Sequence, residues 1–175
     1  MRVLKSINFS YVPEEDRILA AINPGDPEAW SCWLTRRLVS ALLQRAAEFL
    51  ASTSSMMKQA PADVRGELLT FEREAAMATT AKAMSNTPAN VLKASATAAK
   101  LVERLTISSR TDWFRLELRG ETESGVTGWL TRAELQRVLL MLQVEVTKAG
   151  WFGTSAKPST FTVTEETTES KPVRH

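Results

Sequence analysis

The 175-residue chain has one histidine, one cysteine and seven glycines, and each scarcity closes off a kind of chemistry. The histidine is His175, the last residue, so there is no internal Ser–His–Asp or Cys–His relay and no histidine-based metal site. The lone Cys32 excludes an internal disulfide and fits a reducing compartment, for which the cytoplasm is the expectation. The glycines approach neither G-x-G-x-x-G nor G-x-x-x-x-G-K spacing, which removes the phosphate-cradling loops. Long apolar runs are missing as well. The stretch Val138–Leu142 falls far short of the roughly 20 residues that a membrane-crossing helix needs. Residues Met1–Asn8 alternate and carry charge, unlike a signal peptide. These absences together predict a non-enzyme with no cofactor, no metal and no membrane partner.

Charge of one sign is also scarce. The net charge is +2, and the only regional excess of Lys and Arg is spread thinly over residues 51–110. A nucleic-acid domain usually gathers positive charge on one face. No such gathering is visible in the linear order, although folding could still gather distant arginines.

What the chain does have is a repeat. Trp33-Leu34-Thr35-Arg36 returns as Trp129-Leu130-Thr131-Arg132, and Asp16 returns as Asp112, so 16–36 aligns with 112–132 without a gap. Tryptophan is rare enough that a repeated one inside a four-residue identity marks two copies of one unit.

In the first copy, Val3, Lys5, Ile7, Phe9 and Tyr11 share one face of a predicted strand. Pro13–Asp16 makes a turn, Arg17–Ile22 a second strand, Asn23–Pro27 another turn and Glu28–Leu34 a third strand. Thr35 then caps a helix whose Val39, Leu42, Leu43, Ala46 and Leu50 recur at helical spacing. The second copy repeats the plan: Leu105 and Ile107 match Phe9 and Tyr11, and Phe114, Leu116 and Leu118 match Ile18, Ala20 and Ile22. Arg115, Glu117 and Arg119 take the opposite face. Thr131 with Glu134 forms a capping box, and Gly150 is the expected stop.

The resulting expectation is an α+β fold of two pseudo-symmetric βββα units, antiparallel meanders each followed by a helix. They would pair into one pseudo-twofold domain over residues 1–152. Unit one is 1–51, a helical and Ala-rich insertion is 52–101, and unit two is 102–152. Within the insertion a helix is predicted from Pro61 to about Met84, with Val64, Leu68, Phe71 and Ala75 on one face, before a weak helix or linker over 89–100. Residues 153–175 read as a disordered polar tail, in which Phe161–Val163 offers an edge strand.

Candidate site residues come from the repeat itself. Trp33 and Trp129, with Arg36, Arg37 and Arg132 at helix N-termini, offer aromatic platforms beside cations; the plainer reading has each indole covering the end of the core. Asp16 and Asp112 are expected to bond turn amides or to answer the repeated arginine, a structural role shared with Thr35, Thr131 and Glu134. Cys32 reads as a buried structural thiol, and Glu14–Asp16 as a solvated turn.

The pattern Glu15-Asp16-Arg17-Ile18-Leu19 followed by Trp33-Leu34-Thr35-Arg36-Arg37 resembles a family of uncharacterised bacterial proteins over roughly residues 7–50, and the resemblance implies no activity. More loosely, a meander-plus-helix unit present twice is similar in plan to the Whirly and Pur-alpha single-strand-binding proteins, whose units have four strands where this chain shows three. The functional expectation is a non-enzymatic adaptor working through protein–protein contacts, a second copy of the chain being one candidate partner. The alternative is single-stranded nucleic-acid binding through the paired Trp and Arg positions.

Overall fold

The computed structural model describes residues 1–53, 59–61, 63–80, 96, 98–121, 124–151 and 162–165. Its elements run β1 (Arg2–Val3), β2 (Ile7–Val12), a 3-10 turn (Pro13–Glu15), β3 (Arg17–Ile22), β4 (Trp30–Thr35) and α1 (Arg36–Thr53). Then come α2 (Arg65–Thr80), β5 (Lys100–Arg110), β6 (Trp113–Gly120), β7 (Gly125–Thr131), α3 (Arg132–Lys148) and β8 (Thr162–Glu165). This is an α+β fold with one mixed, largely antiparallel sheet and three helices, two of them directly after β4 and β7.

The two meanders keep one register. Arg17 pairs with Thr35 and Ile22 with Trp30; 96 residues on, Trp113 pairs with Thr131 and Leu118 with Val126. The first hairpin of each copy differs. Four residues, Pro13–Asp16, separate the paired Val12 and Arg17, whereas two, Thr111 and Asp112, separate Arg110 and Trp113. The shorter turn shifts β5 by two positions. Phe9 faces Ala20, but the residue facing Leu116, the counterpart of Ala20, is Ile107 and not the expected Leu105. An even shift leaves every side chain on its own face. A bulge between Val102 and Arg104 absorbs the difference at the other end of β5.

The strand order is β1-β7-β6-β5-β4-β3-β2, with β8 added along β5. Only Leu4–Ser6 separate β1 from β2, so the chain itself joins the two ends of that order. The two cross-copy seams are alike: β4 runs parallel to the start of β5, Cys32 beside Lys100, and β7 runs parallel to β1, Val126 beside Arg2. At the second seam Gly128 meets Leu4 so closely that an added Cβ would stand 2.5 Å from the leucine Cβ.

The long first strand expected from alternation is thus two strands with a bend between them, and Asn23 makes the bend. Buried and left-handed at φ 47°, it accepts from the amides of Lys5 and Ser6 at 2.8 and 2.9 Å through Oδ1. Its Nδ2 donates to the Val3 carbonyl at 2.7 Å. Sequence alternation carries no trace of a side chain that satisfies the amides of a bend from seventeen and eighteen residues away.

One core gathers residues from both copies. Ile18, Ile22 and Leu34 pack in a single cluster with Ile107, Leu118 and Val126, and with Val39, Leu42 and Leu50 of α1 and Leu135, Leu142 and Val146 of α3. One face of the sheet therefore packs on α1 and α3; the other is open over β5–β7, where Trp113 and Trp129 are half exposed, but is buried on β3 at Leu19 and Ala21. Among the described residues no helix is long and apolar enough to cross a membrane.

The capping box predicted for α3 forms: Glu134 N donates to Thr131 Oγ1 at 3.3 Å, and Thr131 N to Glu134 Oε2 at 2.8 Å. In α1 the amide of Leu38 donates to Thr35 Oγ1 at 3.3 Å, but a leucine at that position cannot reciprocate. Gly150, at φ 66°, ends α3: Trp151 N reaches the Val146 carbonyl and Gly150 N that of Thr147.

Other expectations shift. The third strand begins at Trp30 and leaves Glu28 in the turn, where its amide meets Asp26 Oδ1. α2 packs along α3, but the expected apolar face is not buried: Phe71 is 67% exposed and Ala75 is exposed. The residues of that predicted helix beyond Thr80, the stretch 89–95 and most of 153–175 lie outside the described residues. Within the tail, β8 pairs parallel with β5 from Thr106 to Ser109, close to the offered strand.

Candidate nucleic-acid interface on the outward sheet face

The outward face of β5, β6 and β7 forms a grid because side chains alternate across a strand. Its cross-strand rows are Arg104–Arg119–Gly125, Thr106–Glu117–Thr127, Ser108–Arg115–Trp129 and Arg110–Trp113–Thr131. Four arginines share it with one carboxylate. Trp113 and Trp129 lie 50% and 48% exposed on neighbouring strands in neighbouring rows. Diagonal residues of that kind sit about 7–8 Å apart at Cα, within reach for large rings. Arg104 faces Arg119 directly, a like-charge pair that is unfavourable unless an anion answers it.

Glu117 holds the middle of the grid. Its carboxylate pairs with Arg115 Nη2 at 3.3 Å and with Arg119 Nε, and its side chain is only 13% exposed beneath them. Arg115 Nε also donates to Thr127 Oγ1 at 3.1 Å. The outer nitrogens, Nη1 of Arg115 and both Nη of Arg119, have no acceptor among the described residues. Arg104 and Arg110 have no ion-pair partner there either.

The same positions in the first copy carry different chemistry. Leu19 and Ala21 stand where Arg115 and Glu117 stand, and both are buried; Arg17 stands in place of Trp113. The cationic aromatic face is thus present on β5–β7 and not at the matching positions of β3 and β4.

The repeated residues singled out from sequence do not converge on one site. Trp33 and Trp129 both point outward from the sheet rather than covering the end of the core, and they belong to different copies. Trp33 is half-buried beside Leu19 and Leu101 in register. Arg132 Nη2 donates to the Leu50 carbonyl at 2.6 Å and Nη1 to Thr53 Oγ1 at 3.3 Å, in the last turn of α1. Arg36 Nη2 reaches the Trp151 carbonyl at 3.4 Å, just past the end of α3. Each arginine thus serves the C-terminal end of the other copy's helix, where positive charge suits the helix dipole. Arg37 lies exposed in the first turn of α1.

The repeated aspartates differ from one another. Asp16, in the left-handed region at φ 46°, accepts from Trp151 Nε1 at 2.9 Å and from the Tyr11 hydroxyl at 3.1 Å. The two rings meet edge to face at 5.8 Å. Those two donors, with the charge of Arg36 behind them, hold the Asp16 carboxyl below its ordinary 3.8. Asp112 stands exposed in the two-residue turn. Burial pushes the Cys32 thiol up to about 12, consistent with an inert core residue. Glu14 and Glu15 are exposed in the turn, and no metal-holding group of three acids, His or Cys occurs among the described residues.

The depressed Asp16 carboxyl carries a pH prediction. A group whose folded pKa lies below its unfolded value contributes stability above the unfolded pKa and loses it as pH falls through the folded one. The gap in thermal midpoint between the native chain and Asp16→Asn is therefore constant at neutral pH and shrinks below about pH 4. Scanning calorimetry across pH 7 to 2.5 checks it; a gap that widens on acidification refutes the assignment.

Comparison with protein-family models, with curated proteins and with solved structures returns no match to this chain. Function is read from the site alone.

Proposed function

We propose that the outward face of β5–β6–β7 binds single-stranded nucleic acid, with Trp113 and Trp129 stacking bases and Arg104, Arg110, Arg115 and Arg119 meeting phosphates. The observation that carries this reading is the pairing of two half-exposed tryptophans with four arginines against one carboxylate on a single sheet face. Stacking on an aromatic contributes about 1–3 kcal/mol per base and tolerates any sequence, because every base has a π-face. The free outer nitrogens of Arg115 and Arg119 suit phosphate oxygens, which guanidinium recognises with paired donors. The reading departs from the repeat-based set: Trp113, Arg115 and Arg119 replace Trp33, Arg36 and Arg132. It belongs to two βββα units related by a pseudo-twofold, of which the first acts as the scaffold. The helical insertion between them includes α2.

A protein partner is the second reading, favoured by the same Trp and Arg composition, which is typical of interface hot spots. Titration with a mixed-sequence single-stranded oligonucleotide at low salt separates the two. The expected result is quenched tryptophan fluorescence, with affinity falling linearly in log salt. No quenching and no complex at low salt reject the nucleic-acid reading.

A further inference from the structure

Resting on that reading, we infer that Glu117 is a charge brake that sets the preference of this face for single strands over duplex. The carboxylate sits under two of the four guanidiniums, pairing with Nη2 of Arg115 and Nε of Arg119, while Nε of Arg115 is held by Thr127. It cancels one positive charge at the centre of the grid while leaving the outer donors and both indoles in place. Phosphate attraction is thereby weakened and base stacking is not. A duplex offers closely spaced phosphates but hides its base faces, so it gains from charge alone; a single strand gains from the tryptophans as well. With the carboxylate present, stacking decides which of the two is held.

The first copy supports the assignment by contrast. The position matching Glu117 is Ala21, buried, with no guanidinium two residues before or after it (Leu19 in β3 and Asn23 just past it). A carboxylate appears where there are arginines to moderate. No strand geometry requires one there, since the flanking residues of its row, Thr106 and Thr127, are neutral.

Glu117→Gln tests the inference because it removes the charge and keeps the shape. The probes are a mixed-sequence single-stranded oligonucleotide and the duplex of the same sequence, each titrated into the full chain over a salt series. The variant is expected to bind the single strand about fivefold more tightly at low salt, from one unit of charge a few ångströms from phosphate. The duplex should gain more than the single strand, so that the preference narrows, with a steeper salt dependence on both; an equal gain on the two probes overturns the role in preference. Glu117→Thr, which continues the threonine row, should behave alike and covers the case in which the glutamine variant folds poorly. Unchanged or weaker binding of both probes by a folded variant overturns the brake and leaves the nucleic-acid reading standing. Failure of the unmodified chain to bind either probe removes both.

Discussion

Replacing Trp113 and Trp129 together with alanine is expected to reduce single-strand affinity by more than a hundredfold while leaving the thermal midpoint nearly unchanged. Two stacked bases at about 1–3 kcal/mol each amount to about 2–6 kcal/mol of binding. Every 1.4 kcal/mol is about tenfold, so the middle of that range is close to a thousandfold. Stability is spared because both rings are half exposed and neither belongs to the core cluster. Each single variant should lose about tenfold or more, and salt dependence should persist, since the arginines remain. Fluorescence anisotropy of a labelled oligonucleotide reads the affinity, and thermal denaturation reads the fold. If the double variant binds as the native chain does, the stacking role is wrong. The matching change at Trp33 should leave binding unaltered, because it lies outside the β5–β7 grid with the apolar Leu19 and Leu101 beside it in register.

The largest expected loss of stability comes from a residue far from that face. Asn23→Ala removes three side-chain hydrogen bonds at once and strands two amides and a carbonyl at the bend between β1 and β2. A polar group left unsatisfied on burial costs about 1–3 kcal/mol, and alanine also strains the left-handed backbone at φ 47°. Val3, Lys5 and Ser6 are themselves exposed, so water replaces part of what is lost and the combined penalty is about 2–3 kcal/mol, still a sizeable share of the stability of an ordinary domain. Asn23→Gly keeps the backbone at ease and should recover a part. Chemical denaturation of both variants checks the order; an alanine variant no less stable than the glycine one contradicts it. Amide exchange should show Val3, Leu4 and Lys5 opening first, since the β1–β7 seam depends on that bend.

The residues that make these predictions were unequally legible from sequence. Alternation and capping chemistry are local, so β3, the capping box at Thr131 and Glu134, and the stop at Gly150 could be read directly. The bend at Leu4–Ser6 could not, because the group that satisfies it lies in a later turn. For the site, identity between copies drew attention to Trp-Leu-Thr-Arg, yet identity marks what the scaffold needs twice. The guanidiniums of Arg36 and Arg132 are spent on helix ends in the other copy, a contact between residues more than eighty positions apart for Arg132 and Leu50. The signal for the binding face lay in the differences instead: Arg115-Glu117-Arg119 against Leu19-Ala21-Asn23, and Trp113 against Arg17. Those residues were visible as a polar stripe, but their gathering with Arg104 and Arg110 required the register of β5, which the two-residue turn shifts.

The matching seams carry a consequence about association. In each, the third strand of one unit lies beside the first strand of the other, with the same spacing, and the crossed arginines repeat that reciprocity at the helix ends. A lone βββα unit would expose one donor edge and one acceptor edge that fit each other, and two separate chains would satisfy both by closing a symmetric pair. Within one chain that encounter is intramolecular and independent of protein concentration. Two segments of one chain need not be identical to meet in this way: Trp113, Arg115 and Glu117 stand on one side where Arg17, Leu19 and Ala21 stand on the other.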